Sequence, residues 1–258
     1  MVITLLSDFG DIYPASMKGV ILGIDPDANI VDISHSVPRQ DIRAGAFILM
    51  TCARYFPSGT VHIAVVDPGV GTKRRAIAVK ATSHDGEIHY FIGPDNGLLI
   101  PAAKSIGNIE VYEISNANLF QEKISCTFHG RDIFAPVGAH ISRGSRIEEV
   151  GRRIFDFNDI DFGMGIKMNG SIHGKVIYID SFGNIITNIS GESVDFRSGD
   201  ELLIEKRRAI FGNSYGFYKE GHPLVLVGSH GFLEVAVNMG NAAKMFCKKQ
   251  GDEIIISI

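Results

Sequence analysis

The stretch "VVDPGVGTKRR", residues 65–75, carries an apolar run into a turn and then into three consecutive cations. The residues before it, "VHIAVV" from Val61 to Val66, interrupt their apolarity only at His62. Such continuity marks a strand buried on both faces, as in a parallel sheet. Asp67 follows at the carboxyl end, the edge at which open α/β sheets place their ligands. A second strand-like run starts at Ala76, so Lys73, Arg74 and Arg75 sit between two buried strands. A charge run in that position is not simply a solvated face, and one arginine is expected to point back at Asp67.

Outward from this stretch the first half alternates. Val2 to Leu6 reads as a strand ending at "SDFG", Ala15 to Ile24 as a helix broken by Asp25-Pro26, and Asn29 to Ile33 as a second strand. Asp41 to Tyr55 has helical spacing. Thr60 to Val66, Ala76 to Ala81 and His89 to Ile92 read as strands, and Arg131 to Ser142 as a helix. This order predicts a Rossmann-like α/β domain with a parallel sheet over residues 1–158. Residues 159–170, rich in Asp, Asn and Gly, read as a linker. Beyond it come short strand-like runs between turn residues, among them Ser171 to Ile179, Asn184 to Ile189 and Phe232 to Val237. No long helical pattern intervenes, which predicts a small C-terminal β domain over 171–258, a β-barrel or sandwich.

Bulk properties exclude several classes. A formal charge of −4 gives no basic footprint for nucleic acid. The apolar start "MVITLL" is too short for a signal or a membrane span. Three cysteines, Cys52, Cys126 and Cys247, lack metal-like spacing and read as reduced thiols of a cytoplasmic protein. The histidines form neither H-x-x-x-H nor H-E-x-x-H, so no metal is expected. "GVGTK" lacks the spacing of a phosphate loop, and a strand rather than a helix follows it. There is no G-x-S-x-G elbow.

Acidic clusters remain where strands end: "SDFGDIY" (7–13), "VVDPGVGTKRR", "GPDNG" (93–97) and "DSFGN" (180–184). Any one of them could be a cap or turn, with Asp accepting backbone N–H groups and Gly supplying positive φ. Three at the same edge of one sheet favour a site. In "TFHGRDIFAP" (127–136), His129 precedes a helix start, and together with Asp67 and an arginine it could polarise a water.

These blocks, in order and with "MKGVILGIDPDANIVDISHSV", "GPDNGLL", "DSFGNIITNI" and "GSHGFLEVAVNMGNAA", resemble the S-adenosylmethionine (SAM) hydrolases, the SAM hydroxide adenosyltransferase family related to fluorinase and chlorinase. The resemblance runs from end to end. It implies an α/β domain followed by a β-barrel, and a homotrimer with each site between neighbouring subunits. It assigns Asp67, Arg74 and His129 to a water-activating group, with Arg74 rather than Arg75 at the matching distance. Asp8 matches the aspartate that holds the ribose hydroxyls, and Phe9 the apolar residue beside it. Phe182 matches a ring stacked on adenine, Asn184 an amide contacting it, and Asp180 a residue at the methionine end. Ser229 and His230 match the pair near the methionine carboxylate. Val237, Asn238 and Met239 match the segment whose backbone reads the adenine edge. The loop after Gly10 is shorter than the family's; Asp11 and Tyr13 are the positions nearest the family's amino-acid-end aspartate and tyrosine.

The resemblance implies hydrolysis of SAM to adenosine and L-methionine, without a cofactor. Two alternatives are a SAM-dependent halogenase and a non-catalytic adenosine- or SAM-binding protein. Where the halogenases carry a hydroxylated residue for halide this chain has Val70, and their tyrosine beside the proline is Asp67 here. A carboxylate there repels halide and suits water. The sequence leaves open whether Asp67 or His129 takes the proton.

Overall fold

The first unit, Met1–Asp161, is built on one sheet. Its elements are β1 (Val2–Ser7), α1 (Tyr13–Ile24), β2 (Asn29–Ser34), α2 (Ile42–Ala53), β3 (Val61–Val65), β4 (Ala76–Thr82), β5 (Ile88–Pro94), α3 (Ile100–Ile106), β6 (Asn108–Glu113), α4 (Ala135–Ser142) and β7 (Arg153–Ile154). The strands lie in the order β2-β1-β3-β5-β4-β6-β7 in this computed structural model, which describes residues 1–257. Strands β2, β1, β3 and β5 are parallel. Ser7 aligns with Val65, and Ile63 with Ile92. The carboxyl ends of β1, β3 and β5 therefore share one edge, and Asp8, Asp67 and Asp95 follow there.

The sheet is not parallel throughout. Strand β4 runs antiparallel to both β5 and β6. The connection 83–87 turns through Gly86 at φ 84° and is far too short for a crossover, which takes a dozen or more residues. Helix α3 and strand β6 had no counterpart in the sequence reading. The helix expected from Arg131 also differs: Gly130–Phe134 forms a π-helical turn, and regular α-helix starts at Ala135. Pro136 has no N–H to give the carbonyl of Asp132 four residues back. That carbonyl accepts the Gln121 N–H instead, at 2.9 Å.

Helices α1 and α4 pack together, as do α2 and α3. Ile3, Leu5, Ile63, Met17, Phe134 and Val137 belong to one buried cluster. Strand alternation sends Thr4 and His62 to the opposite face. There His62, fully buried, shares hydrogen bonds with Thr4 Oγ1 (2.8 Å) and His89 Nδ1 (3.1 Å) and stacks on Phe91. The two histidines, far apart in sequence, are thus a paired polar element inside the fold.

In the second unit, which starts at Phe162, seven strands close a barrel. They are β9 (Ser171–Ile179), β10 (Ile185–Ser190), β11 (Glu201–Ile204), β12 (Arg207–Phe211), β13 (Pro223–Val227), β14 (Phe232–Val237) and β15 (Glu253–Ser257). Their order is β10-β14-β13-β12-β11-β15-β9, and β9 pairs back to β10. Closure leaves the barrel without a free edge among these seven. Strand β8 (Ile166–Met168), within the stretch read as a linker, adds to β9 outside the closed ring. Val176, Ile185, Leu202, Val225, Leu233 and Ile254 fill the interior. Among the described residues no helix is long and apolar enough to cross a membrane.

Burial, and then the neighbouring His89, push the His62 pKa from 6.5 down to about 3. The fold therefore favours the neutral ring, and the unfolded chain binds the proton more tightly. The resulting stability is present above about pH 6.5 and is lost as pH falls toward 3, by at most about 1.4 kcal/mol per pH unit for this group. Urea unfolding from pH 7 to 4 should show this slope. The variant His62→Leu should be less stable at pH 7 but lose less on acidification.

Candidate active site

Asp67 leaves the end of β3 with its side chain only 4% exposed, so its charge needs a partner close by. Arg74 supplies it across a tight turn. In the turn, Val70 N–H donates to the Asp67 carbonyl (3.3 Å), and Thr72 N–H and Oγ1 both donate to the Gly69 carbonyl (3.2 and 2.7 Å). Gly71 adopts φ 75°, and a Cβ there would lie 2.2 Å from the Cys126 carbonyl oxygen. Only glycine lets the turn lie this close to residue 126.

The turn folds Arg74 back onto Asp67. Arg74 Nε lies 3.0 Å from both carboxylate oxygens, and Nη2 donates to Oδ2. Nη1 donates to the Arg75 carbonyl at 3.2 Å, and the guanidinium stands 5.2 Å from the Phe134 ring centroid. Nη2 also lies 3.1 Å from His129 Nδ1. A guanidinium has only donors, so Nδ1 is the acceptor and the neutral ring carries its proton on Nε2. The pKa of His129 is lowered, first by burial and then by the Arg74 cation, against the opposing pull of Asp67 and Asp132. Asp67, Arg74 and His129 thus form one contiguous group. Arg75 faces away, toward Asp95 and Asp156.

Asp67 also opens on a cavity of about 320 Å³ lined by Asp8, Phe9, Tyr13, Arg39 and Gln40. Asp8 Oδ2 accepts the Gln40 N–H at 2.8 Å, and Gln40 holds φ 62°. A non-glycine residue there is uncommon and costs free energy that its surroundings must offset. Phe9 and Tyr13 meet edge to face at 6.3 Å, and both pack against Phe128. Neither Arg74 nor His129 is among the residues lining this cavity; they reach it only through their contacts with Asp67 and each other. Asp11 is exposed and lies outside the lining. Arg39 and Gln40 escaped the sequence reading because they precede α2, where only a helix start was legible.

The second unit carries the remaining candidates. Asp180 Oδ1 accepts the Phe182 and Asn184 N–H groups, and Oδ2 accepts Asn184 Nδ2, all at 2.9 Å. Its carboxylate is thereby spent on shaping its own loop. That loop presents Phe182 with 75% of its surface exposed, while Asn184 is buried. His230 Nε2 lies 3.4 Å from Glu234, and Nδ1 accepts the Phe232 N–H. Tyr215 donates to the other oxygen of Glu234 at 2.5 Å. Ser229 stands in the turn between β13 and β14. Val237 is buried, Asn238 Nδ2 donates to the Tyr218 carbonyl, and Met239 is 83% exposed at φ 52°. Among the described residues no three His, Cys, Asp or Glu side chains converge as a metal cluster.

The SAM hydroxide adenosyltransferase N-terminal domain matches residues 3–151, and the corresponding C-terminal domain residues 174–255. The chain belongs to the SAM hydroxide adenosyltransferase family. It is 37% identical to the (R)-S-adenosyl-L-methionine hydrolase of Methanocaldococcus jannaschii, covering 99% of this chain and 95% of that one. A fluorinase of Actinopolyspora mzabensis is 28% identical over 99% of this chain and 97% of its own. The crystal structure of an uncharacterized conserved protein from Thermotoga maritima superposes with a TM-score of 0.90 at 38% identity, covering 100% of both chains. For this family member, then, fold and sequence agree over the whole chain.

The contact between Arg74 and His129 has a spectroscopic consequence. In wild-type protein His129 should titrate below 6.5 by NMR. Arg74→Gln removes the facing cation and should move that titration upward; an unchanged value would show that the two groups do not meet in solution.

Proposed function

We propose that this chain hydrolyses S-adenosyl-L-methionine to adenosine and L-methionine, with water attacking the ribose C5′. The observation that carries the reading is a single cavity lined by both Asp8 and Asp67, with Arg74 and His129 buttressing Asp67 from behind. Asp8 holds the ribose, and its carboxylate is itself held by Gln40. Asp67 faces the same space and orients the water. Four relatives at 34–37% identity carry the name (R)-S-adenosyl-L-methionine hydrolase, and we assign the same sulfonium epimer as substrate.

The chemistry needs orientation more than force. A sulfonium is a good leaving group, and water is a weak nucleophile. As the new C5′–O bond forms, the C5′–S bond breaks and its electron pair settles on sulfur, which becomes a neutral thioether. One proton leaves the water. Asp67 is the acceptor in reach, because His129 Nδ1 is engaged by Arg74 and the neutral ring's Nε2 already bears a proton. Arg74 cannot act as the base, since its guanidinium stays charged. It fixes the carboxylate and lowers the cost of hydroxide character beside it, while His129 holds the guanidinium in turn. Fixing ribose and water in line recovers up to about 7–11 kcal/mol of the barrier. A carboxylate at the nucleophile position repels halide, which favours hydrolysis over halogenation.

The second unit supplies the purine and amino-acid contacts in this reading: Phe182 stacks on adenine, Asn184 and the 237–239 backbone read its edge, and Ser229 and His230 meet the methionine carboxylate. The working form is a homotrimer in which a neighbouring subunit completes each site. What supports this is that Phe182, matched to the adenine-stacking ring, stands 75% exposed, and Met239 of the adenine-edge segment 83% exposed. No cofactor enters the reaction as written. Three unpaired cysteines are in keeping with a reducing cytoplasm.

Purified protein given SAM in ¹⁸O-water should release adenosine labelled at the 5′-hydroxyl, with the (R) epimer consumed first. Unlabelled adenosine, or none, would overturn the reading. Asp67→Asn should lower turnover about 10²–10⁴-fold, and Asp8→Asn should chiefly raise KM. His129→Gln retains an acceptor for Arg74 and should keep more turnover than His129→Ala; equal losses would point to proton transfer by the imidazole.

A further inference from the structure

The turn that carries Asp67 and Arg74 is gripped at both ends by two consecutive residues of another loop. At its start, Asn96 Nδ2 donates to the Val66 carbonyl at 2.8 Å, one residue before Asp67. At its finish, the Asp95 carboxylate takes Arg75 Nε at 2.9 Å and Nη2 at 2.8 Å, one residue after Arg74. The Asp95 N–H also donates to the Arg75 carbonyl at 3.0 Å. That same carbonyl oxygen is where Arg74 Nη1 ends, at 3.2 Å. Asp95 therefore holds the backbone atom against which the Arg74 guanidinium is set.

Asp95 is itself fixed from the far side. Its side chain is 2% exposed, its Oδ1 accepts the Asn158 N–H at 2.8 Å, and its carbonyl accepts Asn158 Nδ2 at 2.9 Å. Arg75 continues to Asp156, donating from Nη1 to Oδ1 at 3.0 Å and from Nη2 to the carbonyl. A buried carboxylate with this many donors, none of them shared with the substrate cavity, is more than a turn former. Asp95 is not among the residues that line the cavity shared by Asp8 and Asp67.

We propose that Asp95 is a positioning residue for the hydrolysis: through Arg75 and its carbonyl it fixes Arg74, and so holds Asp67 in the orientation that presents the water. Asn96 anchors the opposite end of the same turn. The role rests on the proposed hydrolysis for its kinetic consequence, but not for its structural one. Loosening the clamp leaves ribose and purine contacts in place, so the loss falls on the chemical step.

Asp95→Asn keeps the volume and removes the ion pair. We expect kcat to fall at least tenfold with KM changed less than threefold, and Asp95→Glu to recover part of the loss. By NMR, assigned against His129→Gln, the His129 ring of Asp95→Asn should titrate higher than in wild type as Arg74 swings away. Of the groups facing that ring, Asp67 and Asp132 remain. Should Asp95→Asn fail to fold, Arg75→Lys, which keeps the charge but loses the fork, should show the same split to a smaller degree. A folded variant with wild-type kcat and an unmoved His129 titration would overturn the role. Equal losses in kcat/KM through KM alone would do so too. Were the wild type inactive on SAM, the hydrolysis reading would fall, and the His129 titration would still decide the clamp.

Discussion

Placing a carboxylate and a guanidinium together out of water is costly unless both are fully engaged, and the Asp67–Arg74 pair meets that condition. Asp67 receives the guanidinium through Nε and Nη2. The remaining guanidinium edge is taken by the Arg75 carbonyl and by His129. Removing either partner would strand a buried charge, an effect that commonly costs several kcal/mol. The turn, the glycine at its tip and the π-helical segment after His129 are all arranged around this pair. A π-turn inside a helix start is itself often a mark of function.

The rest of the first unit places that pair beside a binding surface. Parallel register delivers Asp8 and Asp67 to one edge from adjacent strands, which is why residues 59 apart in sequence share a cavity. Asp8 and Asp67 then diverge in environment. Asp8 is tied to a backbone N–H at a strained residue; Asp67 is tied to a cation. One is suited to holding neutral hydroxyls, the other to steering a water. The second unit works differently: Asp180 spends its carboxylate on its own loop so that an aromatic ring can stand exposed.

Much of this was legible in the residues because the signals were local. An uninterrupted apolar run ending at Asp67 gives a buried strand and its carboxyl edge. Alternation with turn residues after residue 171 gives a β structure, barrel or sandwich; closure shows only in the pairing of β9 with β10, a contact that local patterns do not encode. Resemblance, not spacing, singled out Arg74 from Arg75. Non-local features stayed hidden. The direction of β4 depends on a loop length that only becomes decisive once its partner strand is known. His62 and His89 look scattered until the sheet brings them side by side. Gln40 matters through its backbone, and side-chain patterns carry no trace of that. "GPDNG" reads as a turn or as one part of a strand-edge site, and the particular roles of its Asp95 and Asn96 follow only from the two ends of the turn they hold.

The central claim is that Asp67 and Arg74 act as a single unit on one water. A double-mutant cycle on kcat for SAM hydrolysis, using Asp67→Asn, Arg74→Gln and the pair together, tests it most directly. If the account holds, the double variant is no slower than the slower single variant, because either change already dismantles the unit. Losses that multiply across the two sites would mean that the residues contribute independently, and would contradict it.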